Sequence, residues 1–271
     1  MEAIKALSLG KLTLGGKSVA LVAPNGSGKT SNCIAPAILY FLTCFPRGQV
    51  PVTSSSWMQV EKQLFPALRR YMDNPFFDGW TFNKTEIRTP EGGFAVGFST
   101  DNAGRAEGWH PKISPDVDPV FYVLDEAKTI PDSIFTAVSR CTLFHAFITS
   151  SPGADSGTFY DCFHKNSSLY YKIRVKYEDC PHIEINDPGK AERLKKEYGE
   201  QSSFYRSAIL GEFTDLDGQS VIPRRALMDL VNNPPPFLDT GETCGGFDFA
   251  AGGDENVFAA GQGNRFFIAD H

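Results

Sequence analysis

The 271-residue chain lacks several features that would have narrowed its class at once. It has no Cys-x-x-Cys pair: Cys33, Cys44, Cys141, Cys162, Cys180 and Cys244 are scattered, as expected of reduced thiols rather than of a disulfide scaffold or a zinc site. Histidine is sparse, and His110, His145, His164, His182, His271 and the nearby Glu255 show no ligand spacing. There is no excess of basic charge either. Lys and Arg number 26 against 32 Asp and Glu, a formal charge of -6, so contact with a polyanion would have to be a local patch such as Arg69-Arg70, Lys195-Lys196 or Arg224-Arg225. Each pair reads equally well as a solvated helix face. The longest apolar stretches, including Val120 to Leu124 and Cys33 to Cys44, are too short or too interrupted for a span of about 20 residues. The opening MEAIKALSLGKLTLGG has no apolar core or cleavage site of a signal peptide, so cytosolic residence without membrane contact is expected.

What is present is a globular composition, 41% hydrophobic and 21% charged, with strands and helices alternating along the chain. Residues 18–23 (SVALVA) form a short apolar run that stops at Pro24-Asn25-Gly26, and a helix is expected from Gly28 to about Thr43. A strand at 49–53 (QVPVT) precedes Trp57, Val60, Leu64, Leu68 and Tyr71 at helical spacing, with Ser54 to Ser56 as cap candidates. Residues 80–98 favour a hairpin around Glu91-Gly92-Gly93. VFYVL at 120–124 and FHAFI at 144–148 read as apolar strands, as in a parallel sheet covered on both faces, with a helix behind Pro131 between them. Beyond Gly153 a strand at 170–176, a helix at 191–198 and a helical stretch before Leu210-Gly211-Glu212-Phe213 are expected. The pattern predicts an α/β fold with a mainly parallel central sheet flanked by helices. Its expected domains are residues 1–231 including a helical region, a stiff Pro-rich linker at 232–243 (NNPPPFLDTGET), and the first strands of a further domain at 244–271.

The chemistry concentrates at strand ends. Ala23-Pro24-Asn25-Gly26-Ser27-Gly28-Lys29-Thr30 fits the phosphate-binding loop, with Ala in place of the first Gly. In such a loop the amides and the following helix N-terminus converge on phosphates, Lys29 reaches the β and γ oxygens, and Thr30 ligates magnesium. The nucleotide-binding candidates are thus Pro24, Asn25, Gly26, Ser27, Gly28, Lys29 and Thr30. VFYVLDE places Asp125 to hold hydrated Mg2+ and Glu126 to orient or deprotonate the attacking water. Thr149-Ser150-Ser151 closes the next apolar strand, as a γ-phosphate sensor or as a hydroxyl-rich turn. Arg105, on a glycine-flanked loop, reads as an arginine finger acting in its own or a neighbouring subunit, or as an ordinary surface arginine. GFDFAAGGD puts Asp248 in a strand beside a glycine-rich turn, the way ribonuclease-H-like nucleases with a two-metal site begin.

In their order, APNGSGKT, VLDEA, ITSSPG, FYRSAILGEF and CGGFDFAAGGDENV resemble the large terminase subunit, the DNA-packaging motor of tailed bacteriophages, over nearly the whole chain. The resemblance implies a RecA-like P-loop NTPase fold, an ATPase domain that drives double-stranded DNA into a procapsid using ATP and Mg2+, followed by the first strands of a ribonuclease-H-like nuclease using a divalent metal pair. Thr149, Ser150 and Ser151 look like the family's coupling motif, Asp248 like its first nuclease aspartate, and Asp254 like a supporting acidic position. A homo-oligomeric ring, portal and small terminase subunit as partners, and the cytoplasm of an infected or lysogenic bacterial host are implied with it. This chain departs from the family pattern in three ways. Only 22 residues precede Ala23, where the family usually carries an adenine-contacting region. The family's frequent arginine inside the phosphate loop is missing, which draws attention to Arg105. The remaining nuclease carboxylates would fall beyond His271, so cleavage by this chain alone is not expected. A helicase-type nucleic-acid-dependent ATPase and a non-hydrolysing nucleotide-binding assembly subunit are the alternative readings.

Overall fold

Strand β8 (Val120–Leu124) shows why the sheet lies where it does. All five residues are fully buried, and alternate side chains enter two different cores. Phe121 and Val123 join Val19, Leu21, Val50, Val52 and Phe147 on one face, while Val120, Tyr122 and Leu124 join Ala20, Val22, Ala146 and Ile148 on the other. Helices cover both faces. Helix α1 (Ala35–Cys44) and helix α2 (Phe65–Met72) fill the first core with Ile38, Phe41, Leu42, Phe65 and Leu68. Helix α3 (Asp132–Ser139) and helix α4 (Thr158–Asp161) fill the second with Ile134, Phe135, Val138 and Phe159.

The computed structural model describes residues 18–100, 103–113, 117–141, 144–214, 230–234, 236, 241–248, 257–262 and 265–270. Beside β8, the main sheet contains β1 (Ser18–Val22), β2 (Gln49–Thr53), β3 (Thr81–Asn83), β4 (Glu86–Arg88), β5 (Phe94–Gly97), β9 (Phe144–Ser150) and β10 (Tyr170–Arg174). The eight strands lie in the order β10-β1-β9-β8-β2-β5-β4-β3. Every pairing from β10 to β5 is parallel, and β4 and β3 add on antiparallel. The hairpin expected at 80–98 is thus an antiparallel extension whose last strand doubles as a parallel neighbour of β2. A separate two-stranded ladder joins β6 (Lys112–Ile113) and β7 (Val117–Asp118).

The expected helix after Gly28 is present but does not start as an α-helix. Lys29–Ile34 is a π turn that passes into α1, and Val60–Leu64 repeats this before α2, after a first helical turn at Trp57–Gln59 capped by Ser56. Both π turns run directly into a helix with proline at its second position, Pro36 and Pro66. Proline has no N–H to donate and its ring crowds the carbonyl four residues back, so widening the preceding turn relieves both problems.

By its internal contacts the chain divides into two units, Met1–Gln219 and Ser220–His271. The second contains an antiparallel sheet of β11 (Thr243–Asp248), β12 (Val257–Gln262) and β13 (Arg265–Asp270). Arg224, Arg225, Asp254, Glu255, His271 and residues 235 and 237–240 of the Pro-rich stretch lie outside the described residues. Among the described residues no helix is long and apolar enough to cross a membrane.

Candidate functional site

The parallel strands end together, and their last hydrogen bonds bring five strand exits to one edge. Ala23 N donates to Ser150 O (3.1 Å), Asp125 N to Thr53 O (2.9 Å) and Phe98 N to Val52 O (2.9 Å). Segments far apart in sequence thereby meet at the carboxyl edge of the sheet, where α/β folds bind ligands.

The loop after β1 turns on Gly26 and Gly28, with φ of 83° and 82°, values that strain any residue bearing a Cβ. Its amides lead into the π turn, where Lys29 and Thr30 take up their positions. Lys29 is buried and its Nζ donates to Ala23 O (3.3 Å) and Pro24 O (3.2 Å). Burial pulls its pKa below the ordinary lysine value, opposed by the Glu126 and Asp125 carboxylates. Thr30 Oγ1 donates to Asp125 Oδ2 at 3.1 Å across 95 residues of sequence. Asp125 is almost fully buried, and burial, with the Glu126 charge second, pushes its carboxyl up to about 6. A buried carboxylate held against a hydroxyl, with a neighbouring like charge, is a hard oxygen donor set that fits a divalent cation of the Mg2+ type. Ser27 Oγ, buried inside the loop with no hydrogen-bond partner, fits a phosphate oxygen in the same way. Among the described residues there is no cluster of three or more His, Cys, Asp or Glu, so a cation here would depend on the Thr30 and Asp125 pair plus ligand oxygens.

Glu126 has φ 50° and ψ 42° and is the one non-glycine residue with positive φ among those described. Its amide donates to Asp125 Oδ1 (3.0 Å), and its Oε2 accepts from Ser150 Oγ (3.2 Å). The left-handed backbone turns the chain sharply at the strand end and gives two consecutive carboxylates separate partners. Alternation in β9 separates the three hydroxyls expected to act together. Thr149 shares the face of Phe147 and its buried Oγ1 has no partner, whereas Ser150 takes the opposite face and reaches Glu126.

Lys29, Thr30, Asp125, Glu126 and Ser150 are thus drawn together at one edge. Arg105 lines a different pocket of about 520 Å³ with Trp57, Phe98, Ser99 and Trp109, whose Nε1 donates to Arg105 O (3.1 Å). Asp248 ends β11 opposite Val257, and its side chain is outside the described residues. Two further residues carry no motif signal but touch the site. His182, in the helix Pro181–Asn186, contacts Gly26 O through Nε2 at 3.0 Å. Lys128, two residues past Glu126, donates from Nζ to Ser151 Oγ at 2.7 Å.

Sheet order and flanking helices define a mixed α/β fold with a mainly parallel eight-stranded sheet, its loop and carboxylates gathered at one edge. The particular likeness is to large terminases. The Thermus phage P74-26 large terminase ATPase domain superposes with a TM-score of 0.55 at 17% identity, over 77% of this chain and 92% of that one. The large terminase of a thermophilic bacteriophage, in complex with ADP, gives a TM-score of 0.55 at 13% identity and covers 94% of this chain; the same terminase in complex with ATP-γ-S gives 0.52. The chain spans 63% of the length of that second terminase. No family model and no curated protein matches the sequence. At these identities the likeness establishes the fold, that of large terminase ATPase domains.

Proposed function

We propose that this chain hydrolyses ATP to drive double-stranded DNA into a viral procapsid, as the motor part of a large terminase. The observation that carries the reading is the bonded pair of strand exits, Thr30 to Asp125 and Ser150 to Glu126, beside the phosphate loop. Loop amides and Lys29 bind the β and γ phosphates, and Ser27 offers its hydroxyl to one of their oxygens. Thr30 and Asp125 hold Mg2+, which when bound neutralises phosphate charge. Glu126 orients the attacking water and accepts its proton, with Ser150 fixing one carboxylate oxygen so that the other is free to act. Thr149, Ser150 and Ser151 pass the change at the γ-phosphate to the following segment. The ADP and ATP-γ-S complexes of the thermophilic phage terminase support adenine nucleotide as the ligand class.

The remaining parts of the reading follow from the same resemblance. The motor acts as a homo-oligomeric ring with portal and small terminase subunit, in the cytoplasm of the bacterial host. Arg105 contributes charge in its own or a neighbouring subunit. Nuclease cleavage at Asp248 needs a divalent metal pair. Residues 1–231 are the motor domain, 232–243 the linker and 244–271 the start of the nuclease. Comparing ATP turnover in the wild type with Glu126→Gln, alongside titration of a fluorescent ATP analogue, tests the reading. Turnover lowered about 10²- to 10⁴-fold with binding retained supports it. Binding without any Glu126-dependent turnover would favour a non-hydrolysing assembly subunit.

A further inference from the structure

Residues 150–153, the exit of β9, are held from two sides. On one side lies the turn that follows Glu126: Lys128 N donates to Ser150 Oγ (3.4 Å), Ser150 Oγ donates to Glu126 Oε2 (3.2 Å), and Lys128 Nζ donates to Ser151 Oγ (2.7 Å). The Lys128 stem lies against Gly153, where an added Cβ would come within 2.9 Å of Lys128 Cβ and 3.1 Å of Cδ. On the other side lies the segment 203–214. Ser207 Oγ donates to Pro152 O (3.2 Å) and Thr214 N to Gly153 O (3.1 Å). That segment is closed on itself by Thr214 Oγ1 to Ser203 O (3.4 Å) and the Arg206 to Glu212 ion pair (2.8 Å).

One side chain therefore touches the strand exit at both Ser151 and Gly153, while its own amide shares Ser150 with Glu126. We propose that Lys128 is a positioning residue for hydrolysis, clamping the 150–153 exit so that the Glu126 carboxylate and the 203–214 segment move as one body. The inference rests on the reading of Glu126 as the group that activates water. A surface lysine with a single hydroxyl partner would ordinarily be worth little, because ordering its long side chain opposes the bond. Here the stem is already packed and the amide already engaged, so the ammonium bond adds a third point of attachment at small further cost. The charge also acts on the site, since Lys128 is among the groups that lower the Lys29 pKa.

The test is a double-mutant cycle in the full chain with MgATP, using Lys128→Met, which keeps an unbranched stem, Ser151→Ala, the pair together, and Lys128→Arg. Lys128→Met is expected to lower kcat about 10- to 100-fold, as loss of a group that orients a catalytic residue does. KM for ATP should stay within about twofold, Ser151→Ala should act in the same direction, and the pair should be no worse than the stronger single change. Lys128→Arg should recover part of the rate. An unchanged kcat in Lys128→Met, or losses that multiply, would overturn the proposal. If Lys128→Met does not fold, Ser151→Ala and Lys128→Arg give the same decision. Amide exchange gives a readout independent of turnover: in Lys128→Met the Thr214 amide should exchange faster than in the wild type, and equal protection would contradict the clamp. A wild type without turnover, but with Thr214 protection that depends on Lys128, would sink the hydrolysis reading and leave the clamp standing.

Discussion

Glu126 carries a conformational cost that only its surroundings explain. A left-handed backbone at a residue with a Cβ costs about 1–2 kcal/mol, and the adjacent buried Asp125 adds repulsion between like charges. Asparagine tolerates this conformation and bears no charge, so Glu126→Asn should raise stability by about 1 kcal/mol while removing turnover. Thermal unfolding beside an ATPase assay checks both, and a variant that is less stable than the wild type would argue against strain at this turn. His145, buried inside β9, gives a pH-dependent counterpart. Burial lowers its pKa below the ordinary 6.5, so the folded chain keeps it neutral while the unfolded chain takes up a proton near that value. Stability is therefore expected to be full above pH 6.5 and to be lost as the pH falls below it towards the folded pKa. Unfolding midpoints between about pH 7.5 and 5.5 should fall less steeply for His145→Gln than for the wild type.

Among the secondary-structure elements, the ones read correctly are those whose signal is local. VFYVL and FHAFI announce central strands because a strand buried on both faces can carry few polar residues, and Phe121 and Phe147 do lie in the first core. Lys29, Thr30, Asp125 and Glu126 were legible for a related reason: each sits at a fixed offset from the end of such a strand. The π turns before Pro36 and Pro66 were not legible, since periodicity reports which face is apolar and does not register one widened turn. Nor were Lys128 and His182, whose partners Ser151 and Gly26 lie 23 and 156 residues away and become neighbours only once the sheet is assembled. Packing between elements gives its own prediction. Phe41 of α1 stacks on Phe121 of β8 with ring centroids 5.0 Å apart, both buried. Phe41→Ala should cost about 3–5 kcal/mol in denaturant unfolding, and a much smaller loss would mean the helix settles onto the sheet.

For the whole molecule the formal charge of -6 sets the terms of any contact with DNA. A motor that grips duplex through a few basic side chains should show DNA-stimulated turnover that declines steeply and linearly on a log-log plot against salt. Arg69 and Arg70 near the end of α2, and Lys195 and Lys196 in the helix Lys190–Tyr198, are exposed and can supply such contacts. Stimulation that is flat with salt would mean that the effect does not come from phosphate contacts. The decisive measurement is steady-state ATP hydrolysis by the full chain with and without duplex DNA at rising protein concentration, with Glu126→Gln in parallel. The proposed motor requires turnover that rises with DNA and with concentration and disappears in Glu126→Gln. Turnover indifferent to DNA, or a rate that survives Glu126→Gln, would contradict it.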